Sequence, residues 1–432
     1  MTADSEFLAD ARAVLAAGPV CDACLGRVFA DRSFGLGNDD RGRGLRVTAA
    51  LADDEPYEAP DARDCWVCEG LTDRYDEWAE RVVDAVAGVE FETYQVGSRV
   101  PPLLAENDRL LREDAGLDDD AGEELKSEMN REVGKRVGQA TGAEVDFERP
   151  DVLALCNVER GDVDVQVNPA FVYGRYRKLE RGIPQTEWPC RECGGSGKQL
   201  GDDGEEDCDH CGGSGYLYDR SVEELVAPHV REVMDGDEAV FHGAGREDVD
   251  AKMLGTGRPF VVEVKEPRFR SPDVDALEDA INDEDGVAVS DLELATYEMV
   301  ERVKGLDARK TYRADVAFDA PVTETDLANA IADLDGTTVA QETPTRVDHR
   351  RAAKTRERTV YDISAELVDE RHAVVELTGE GGLYVKELVS GDEGRTKPSL
   401  AGLLGCHATV TALDVLDVAG EEEDFADPEF LR

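Results

Sequence analysis

GAGREDVDAKMLGTGRPFVVEV, residues 243–264, joins two glycine-rich turns to an apolar strand, and the chain is organised around it. The first turn carries four charged residues, Arg246, Glu247, Asp248 and Asp250. Glycine permits backbone conformations that other residues resist, and it lets a neighbouring chain or a substrate approach closely. A carboxylate beside a base on such a turn is suited to reacting with a substrate. On these residues alone, a tight hairpin with a solvated charge pair is the simpler interpretation.

The part of this stretch that begins at Gly245 resembles the catalytic stretch of the tRNA pseudouridine(54/55) synthases of archaea and eukaryotes. A match of this length is far more specific than a lone glycine pattern. Further matches occur at Lys310–Ala314, Gln341–Arg351, Leu383–Leu388 and Gly394–Pro398. The similarity therefore covers the C-terminal half of the chain and, through the cysteines, extends to the N-terminus.

The resemblance implies a tRNA pseudouridine synthase that acts in the T-arm, on uridine 55 and on uridine 54. The base must leave its stack, and the uracil is detached, rotated and rejoined through C5. Asp248 matches the essential Asp of the superfamily and would act as a nucleophile or as a base on the ribose. Lys386 resembles the cation that keeps this carboxylate ionised in a dry pocket. Tyr312 looks like the ring that stacks on the flipped base, and Asp250 would be a turn residue or a supporting carboxylate.

Four further positions are expected to contact the substrate. Val385 and Leu413 resemble the apolar residues that form the floor of the pocket. Tyr384 precedes Lys386 by two residues, so on a strand the two side chains would face the same side. Arg246 lies on the turn itself, two residues before Asp248.

The segment Phe171–Gly182, FVYGRYRKLERG, interleaves aromatic rings with cations. Its Arg175, Arg177 and Lys178 are candidates for RNA contact through phosphate pairing and base stacking. A strand edge whose long side chains extend their charges to water is almost equally compatible with the pattern.

The segment Gln341–Val360 is strongly basic within an otherwise acidic chain. It includes Arg346, Arg350 and Arg351, which we expect to bind the RNA backbone. A charge run is usually a solvated face, but the reversal of sign here favours the RNA interpretation.

The net charge of −50, from 98 acids against 48 bases, would ordinarily argue against a nucleic-acid partner. The acids are spread along every segment, however, which is typical of a protein in a salt-rich cytoplasm. At ~1 M salt the Debye length is roughly 3 Å, so long-range repulsion from RNA largely vanishes. No apolar run is long enough to span a membrane, and residues 1–20 do not resemble a signal peptide. We expect a cytoplasmic monomer that binds tRNA and no membrane.

Eight of the ten cysteines fall in four CxxC pairs, which argues for metal rather than disulfides in a chain without a secretory signal. Four thiolates in two such pairs suit tetrahedral zinc and leave no open position for catalysis. We predict one or two structural zinc ions and, because no nucleotide-binding glycine pattern is evident, no organic cofactor. The expected ligands are Cys21, Cys24, Cys65 and Cys68 at one site, and Cys190, Cys193, Cys208 and Cys211 at the other.

The chain is too long for one ordinary core, and its motifs divide it into four predicted domains. These are an N-terminal zinc-binding segment (1–74), a THUMP-like tRNA-binding domain implied by the resemblance (75–187), a zinc ribbon (188–218) and a pseudouridine synthase catalytic domain (219–432). The predicted fold class is α+β, with a mixed or antiparallel sheet in the catalytic domain and a zinc-bearing α/β domain of THUMP type before it.

Two alternatives compete with this interpretation. Another THUMP-bearing tRNA modifier, such as a methyltransferase or a thiouridine synthase, would require a methyl-donor loop or a PP-loop, and neither is evident. A non-enzymatic zinc-ribbon chaperone or RNA-binding module is suggested by the repeated CxxCxGxG, which resembles the zinc region of DnaJ-type chaperones. Such a module would not need Asp248, Tyr312 and Lys386 in the motifs of a catalytic family.

Overall fold

The computed structural model describes residues 3–201, 204–306, 308–344, 354–419, 427 and 429–432. The chain divides into two compact units, Met1–Asn168 and Pro169–Arg432. Each unit is built around its own main hydrophobic core. None of the described helices is long and apolar enough to cross a lipid bilayer.

The first unit packs helices on a small mixed sheet. Its elements are α1 (Ala3–Ala16), α2 (Asp22–Arg27), α3 (Asn38–Asp53), α4 (Tyr75–Ala85), β1 (Thr93–Arg99), α5 (Pro102–Asp114), α6 (Leu125–Thr141), β2 (Glu144–Val145), β3 (Val152–Asn157) and β4 (Asp162–Val167). In the order β2-β1-β3-β4, β1 is parallel to β2 and β3, whereas β4 is antiparallel to β3. On α6, buried Leu125, Met129, Val133 and Val137 recur every fourth residue and give the helix one apolar face.

The N-terminal cysteine segment, predicted as a separate domain of residues 1–74, shares one core with the rest of this unit. The fully buried Arg27 of α2 forms ion pairs with Asp108 at 2.6 Å and with Glu128 at 2.9 Å, and it donates to Cys24 Sγ at 3.4 Å. Although burial acts in the opposite direction, the charges of Arg27 and Arg112 hold the pKa of Asp108 below its ordinary value. Because a buried charge must be paired, this network ties α2 to α5 and α6.

The second unit contains a large sheet with helices around it. Its elements are β5 (Ala170–Lys178), β6 (Lys198–Gly201), β7 (Gly204–Asp207), α7 (Val222–Val233), β8 (Glu238–Gly243), β9 (Lys252–Lys265), α8 (Val274–Asn282), β10 (Val287–Ala295), α9 (Tyr297–Gly305), β11 (Arg309–Phe318), α10 (Glu324–Leu334), β12 (Thr338–Glu342), β13 (Thr355–Asp369), β14 (His372–Gly379), α11 (Val385–Ser390), β15 (Thr396–Lys397), α12 (Leu400–Leu404) and β16 (Ala408–Ala419). A separate hairpin, β6 with β7, lies in the cysteine-rich segment.

The large sheet has the strand order β10-β5-β9-β16-β11-β14-β13-β12-β15, and β8 pairs with β9 beside this path. Strands β9 and β16 run parallel, and the other pairs are antiparallel. The mixed sheet and the α+β fold class predicted from the sequence are confirmed.

Strand β5 corrects the predicted domain boundary. The sequence predicts a THUMP-like domain that extends to residue 187, but β5 pairs with β9 and β10 inside the large sheet. Val172 and Tyr176 of β5 are fully buried in the core of the second unit. The boundary therefore falls at 168/169, because the strand partners of β5 lie about 80 to 120 residues further along the chain.

Two glycines allow β9 to lie close to both of its neighbours. Gly255 has φ +58°, and a Cβ atom there would lie 1.7 Å from the carbonyl oxygen of Leu416 on β16. Gly257 has φ +79°, and a Cβ atom there would lie 2.9 Å from the carbonyl oxygen of Tyr176 on β5. Any side chain at either position would force the strands apart, which explains the second glycine turn of the opening motif.

Candidate active site

The loop between β8 and β9, residues 244–251, carries the charged residues of the opening motif. The amide of Ala244 donates to the carbonyl of Pro259 at 3.0 Å, and the amide of Ala251 donates to the carbonyl of Asp248 at 3.0 Å. The loop is therefore closed at its start by β9 and at its end by a turn centred on residues 249 and 250.

Glu247 anchors this loop in the core. Its carboxylate accepts hydrogen bonds from Arg258 Nε at 3.0 Å and from the Tyr176 hydroxyl at 2.9 Å. Arg258 also donates from Nη1 to the carbonyl of Ala244 at 2.8 Å, so one guanidinium holds two points of the loop. The side chains of Glu247 and Arg258 are 0% and 1% exposed, and burial together with the Glu247 charge raises the pKa of Tyr176 well above its ordinary value. Both hydrogen bonds to Glu247 reach Oε2, whereas Oε1 is buried without a hydrogen bond and lies 3.6 Å from Lys178 Nζ.

Lys178 has a different place from the one predicted. Its side chain is fully buried, and Nζ donates to the carbonyls of Ile183, Asp248 and Val249 at 2.9, 3.1 and 3.3 Å. Burial lowers the pKa of Lys178, and Glu247, 3.6 Å away, opposes that effect. Lys178 therefore holds the backbone of the loop from beneath and cannot meet an RNA phosphate.

Asp248 and Lys386 are brought together, and Asp250 joins them. Lys386 Nζ lies 3.2 Å from Asp248 Oδ2 and 2.9 Å from Asp250 Oδ2. The Asp248 side chain is 38% exposed, whereas that of Asp250 is 69% exposed. One ammonium group thus balances two carboxylates, and Asp248 is the more enclosed of the two.

Asp248 lines a cavity of about 490 Å³, and Tyr312, Val385 and Leu413 line it with Asp248. All three of these partners are buried, and their roles as stacking ring and apolar floor stay predictions. Burial raises the pKa of Tyr312 to about 12, against the opposing charge of Arg258. The Tyr312 hydroxyl is therefore protonated at neutral pH.

The expectation that Tyr384 and Lys386 share one face of a strand is wrong. Residues Val385–Ser390 form the short helix α11, and Tyr384 is the residue that precedes it. Positions two apart on a helix do not face the same side. Tyr384 is instead fixed through its backbone, since its amide and carbonyl exchange hydrogen bonds of 2.9 Å with the side chain of Gln341. Tyr384 and Lys386 nevertheless both line the cavity.

Arg246 is exposed and also lines the cavity, where its Cζ lies 5.9 Å from the centre of the Trp188 ring. Trp188 belongs to a segment that follows β5 and reaches the loop of residues 244–251. In that segment, Gln185 Nε2 donates to the carbonyl of Gly245 at 2.8 Å and to the Tyr176 hydroxyl at 2.7 Å.

The other two cations of the FVYGRYRKLERG segment differ from each other. Arg175 donates to the carbonyls of Thr256, Gly257 and Val418 at 2.7, 2.9 and 3.0 Å, so it joins β5 to β9 and β16. Arg177 is exposed and stays a candidate for RNA contact. The interleaved rings do not form a stacking surface, because Tyr173 and Tyr176 are buried.

The predicted RNA-contact residues Arg346, Arg350 and Arg351 lie outside the described residues. Nearby on β13, Arg356 donates to the hydroxyl of Thr343 at 2.8 Å and is partly exposed.

Sequence reasoning missed the residues that hold the loop from below, namely Glu247, Arg258, Tyr176 and Gln185. Glu247 and Arg258 lie inside the opening motif, where Arg258 directly precedes the apolar run of the strand. An acid and a base so close to an apolar strand could have predicted a buried ion pair. Tyr176 and Gln185 carried no such signal, because their contacts join positions about 60 to 70 residues apart.

The eight paired cysteines form two clusters, as predicted. Within each cluster the four sulfur atoms lie within 4.8 Å of one another, and three Sγ–Sγ distances are 3.7, 3.8 and 4.0 Å. Tetrahedral sulfur ligands 2.3 Å from zinc are separated by about 3.8 Å, so both donor sets fit a metal of this kind. In the second cluster the amides of Gly197 and Gly215 donate to Cys193 Sγ and Cys211 Sγ at 3.3 and 3.2 Å, which favours the thiolate form.

The family model for "Pus10, C-terminal" matches residues 171–419, more than half of the chain. The chain belongs to the Pus10 family. A second family model, for "Pus10 THUMP domain, archaeal", matches residues 78–157, which lie in the first unit. The predicted family and THUMP-type domain are thereby confirmed.

Similar Pus10 proteins match the chain over almost its whole length. The tRNA pseudouridine synthase Pus10 of Halorubrum lacusprofundi is 64% identical over 417 residues, which cover 96% of this chain and 97% of that protein. The protein of the same name from Pyrococcus furiosus is 36% identical over 96% of this chain and 99% of that protein. A solved Cbf5-Nop10-Gar1 complex matches with a TM-score of 0.29 and 18% identity over 45% of this chain and 44% of that chain, which is too distant to support an argument. As a Pus10 family member, the chain is a pseudouridine synthase, an isomerase that converts uridine to pseudouridine.

Proposed function

We propose that this protein converts uridine 55, and also uridine 54, in the T-arm of tRNA to pseudouridine, with Asp248 as the reacting carboxylate. The observation that carries the proposal is the cavity in which Asp248, paired with Lys386 at 3.2 Å, lies with Tyr312. The Pus10 proteins of Halorubrum lacusprofundi and Pyrococcus furiosus are named as tRNA pseudouridine synthases, which supports tRNA as the substrate. The protein acts as a cytoplasmic monomer, as the sequence predicts.

Each residue of the cavity has a role that follows from its place. Asp248 acts on the ribose as a nucleophile or as a base while the C1′–N1 bond breaks. Lys386 stabilises its negative charge, and Val385 and Leu413 exclude water beneath the uracil. Tyr312 offers its buried ring to the flipped base. Its hydroxyl enters the reaction protonated, as that of any tyrosine does at neutral pH, and burial raises the Tyr312 pKa further, to about 12. When C1′ joins C5, the C5 proton is released and N1 gains a proton.

The proposed substrate positions can be tested with transcripts of one tRNA that carry tritium at C5 of uridine. Release of tritium counts each isomerisation. Three transcripts are compared: the unchanged one, one with cytidine in place of uridine 55, and one with cytidine in place of uridine 54. We expect each replacement to remove one of two equivalents of released tritium. Release that is unaffected by both replacements would place the modified uridine elsewhere and contradict the T-arm proposal.

We also propose that each cysteine cluster holds one structural zinc ion, which four thiolates would bind without an open position for catalysis. Elemental analysis of the purified protein should give about two zinc ions per chain. Cys208→Ser should reduce this to one, because it removes a ligand of the second cluster. Cys406→Ser is the matched control, since Cys406 belongs to neither cluster and should leave two ions bound. A folded protein that contains no zinc would contradict the proposal.

A further inference from the structure

The second cysteine cluster is connected directly to the wall of the active site. Trp188, two residues before Cys190, lines the cavity that holds Asp248. Its carbonyl accepts a hydrogen bond from the amide of Leu217 at 3.0 Å, and its ring packs edge-on against Tyr218 at 5.4 Å. Both partners follow the last cysteine of the cluster, so the chain entering the ribbon is fixed by the chain leaving it.

The cysteine cluster stabilises this pairing. The amide of Cys190 donates to the carbonyl of Gly215 at 2.7 Å, and Pro189 forms a β-bridge with Tyr216. Cys190 and Cys208 bring the two ends of the ribbon together, with their Sγ atoms 4.0 Å apart. Apart from the small hairpin of β6 and β7, the described residues of the ribbon, 188–201 and 204–218, form no helix or named strand, so their shape depends on the cluster.

Trp188 in turn contacts the loop of residues 244–251 through Arg246, whose Cζ lies 5.9 Å from the centre of the ring. Arg246 forms no ion pair with any carboxylate of the described residues. A long, exposed side chain without a carboxylate partner needs another contact to restrict its rotamers, and the face of a tryptophan provides one.

We infer that Trp188 is a positioning residue of the active site: its ring holds the Arg246 guanidinium beside Asp248, where Arg246 binds a phosphate of the RNA strand. The second cysteine cluster, by shaping the ribbon, fixes Trp188. This inference rests on the proposed function, since it takes an RNA strand as the substrate at Asp248.

Four proteins test whether Trp188 acts on substrate binding through Arg246: wild type, Trp188→Ala, Arg246→Ala and the double variant. Loss of an exposed cation–π contact should raise the KM for the tRNA transcript roughly two- to fivefold in Trp188→Ala, with kcat nearly unchanged. Because Trp188 acts through Arg246, the double variant should bind no more weakly than Arg246→Ala alone. Trp188→Phe keeps an aromatic face and should restore most of the wild-type KM.

The salt dependence of tRNA binding separates positioning from general destabilisation. Loss of one phosphate contact reduces the slope of log K against log salt by about one, and both Trp188→Ala and Arg246→Ala should show this reduction. A role of Trp188 that is merely structural would leave the slope unchanged. Additive KM effects in the double variant, or an unchanged slope in Trp188→Ala, would overturn the inference.

The dependence of the Trp188 position on the second cysteine cluster can be measured by fluorescence, without an activity assay. Trp188 is one of three tryptophans. Its contribution to the fluorescence emission spectrum is obtained by subtracting the spectrum of Trp188→Phe from that of wild type. In Cys208→Ser this component should shift to longer wavelength and become more accessible to acrylamide, whereas Cys406→Ser should leave it unchanged. An unchanged Trp188 component in Cys208→Ser would overturn the link. Failure of the proposed function would look different, because wild type itself would then release no tritium from the T-arm transcript.

Discussion

Asp248→Asn is expected to reduce tritium release from the T-arm transcript by at least about 10³-fold, because loss of a reacting carboxylate removes the step that opens the glycosidic bond. The asparagine keeps the size of the side chain and can still accept a hydrogen bond from Lys386. Binding of tRNA, measured by gel shift, should therefore stay close to that of wild type. The change tests chemistry rather than folding, since the Asp248 side chain is 38% exposed.

Asp250→Asn is the matched control for this prediction. Asp250 lies two residues away and forms the same kind of ion pair with Lys386, at 2.9 Å. Its side chain is 69% exposed, and exposed ion pairs contribute little, so activity should fall by less than about tenfold. If Asp250→Asn were the inactive variant and Asp248→Asn the active one, the assignment of the reacting carboxylate would have to be exchanged.

The residues that we propose to react could be named from the sequence, whereas the residues that support them could not. Asp248, Tyr312 and Lys386 each lie in a short motif whose pattern can be compared along the chain, and the structure places all three in one cavity. Lys178 shows the opposite case. Its segment resembles a surface strand, and only the pairing of β5 with β9 and β10 buries it beneath the loop.

The helix α11 is a second feature that could not be predicted from the sequence. The stretch Leu383–Leu388, LYVKEL, is short, and periodicity over so few residues does not distinguish a strand from a helix. The hydrogen bonds between Gln341 and the backbone of Tyr384 fix the start of this helix, and they join residues 43 positions apart. Pairings at such separations decide both the domain boundary and the support of the site, and local patterns do not encode them.

Replacement of Glu247 is expected to have the largest effect on the stability of the second unit. Glu247→Gln leaves the guanidinium of Arg258 and the ammonium of Lys178, which are 1% and 0% exposed, without their shared carboxylate. Breaking a buried ion pair by removing one partner costs about 3–5 kcal/mol of unfolding free energy. The loop would also lose its anchor one residue before Asp248, and misplacement of a reacting group by about 1 Å can lower kcat by about 10²-fold.

Hydrogen exchange of peptides from β5 and β9 measures this loss in the intact chain, because these strands contain Tyr176, Lys178 and Arg258. The matched control is Glu238→Gln, which breaks the pair of Glu238 with Lys265 at 2.9 Å on the same sheet. Those side chains are 60% and 43% exposed, so the control should change the unfolding free energy by less than about 1 kcal/mol. Exchange in Glu247→Gln that is no faster than in Glu238→Gln would mean that the backbone contacts of Lys178 and Gln185 hold the loop without the carboxylate. Glu247→Asp, which keeps the charge on a shorter side chain, should lie between the two, since Coulomb attraction would persist while the hydrogen bonds lengthen.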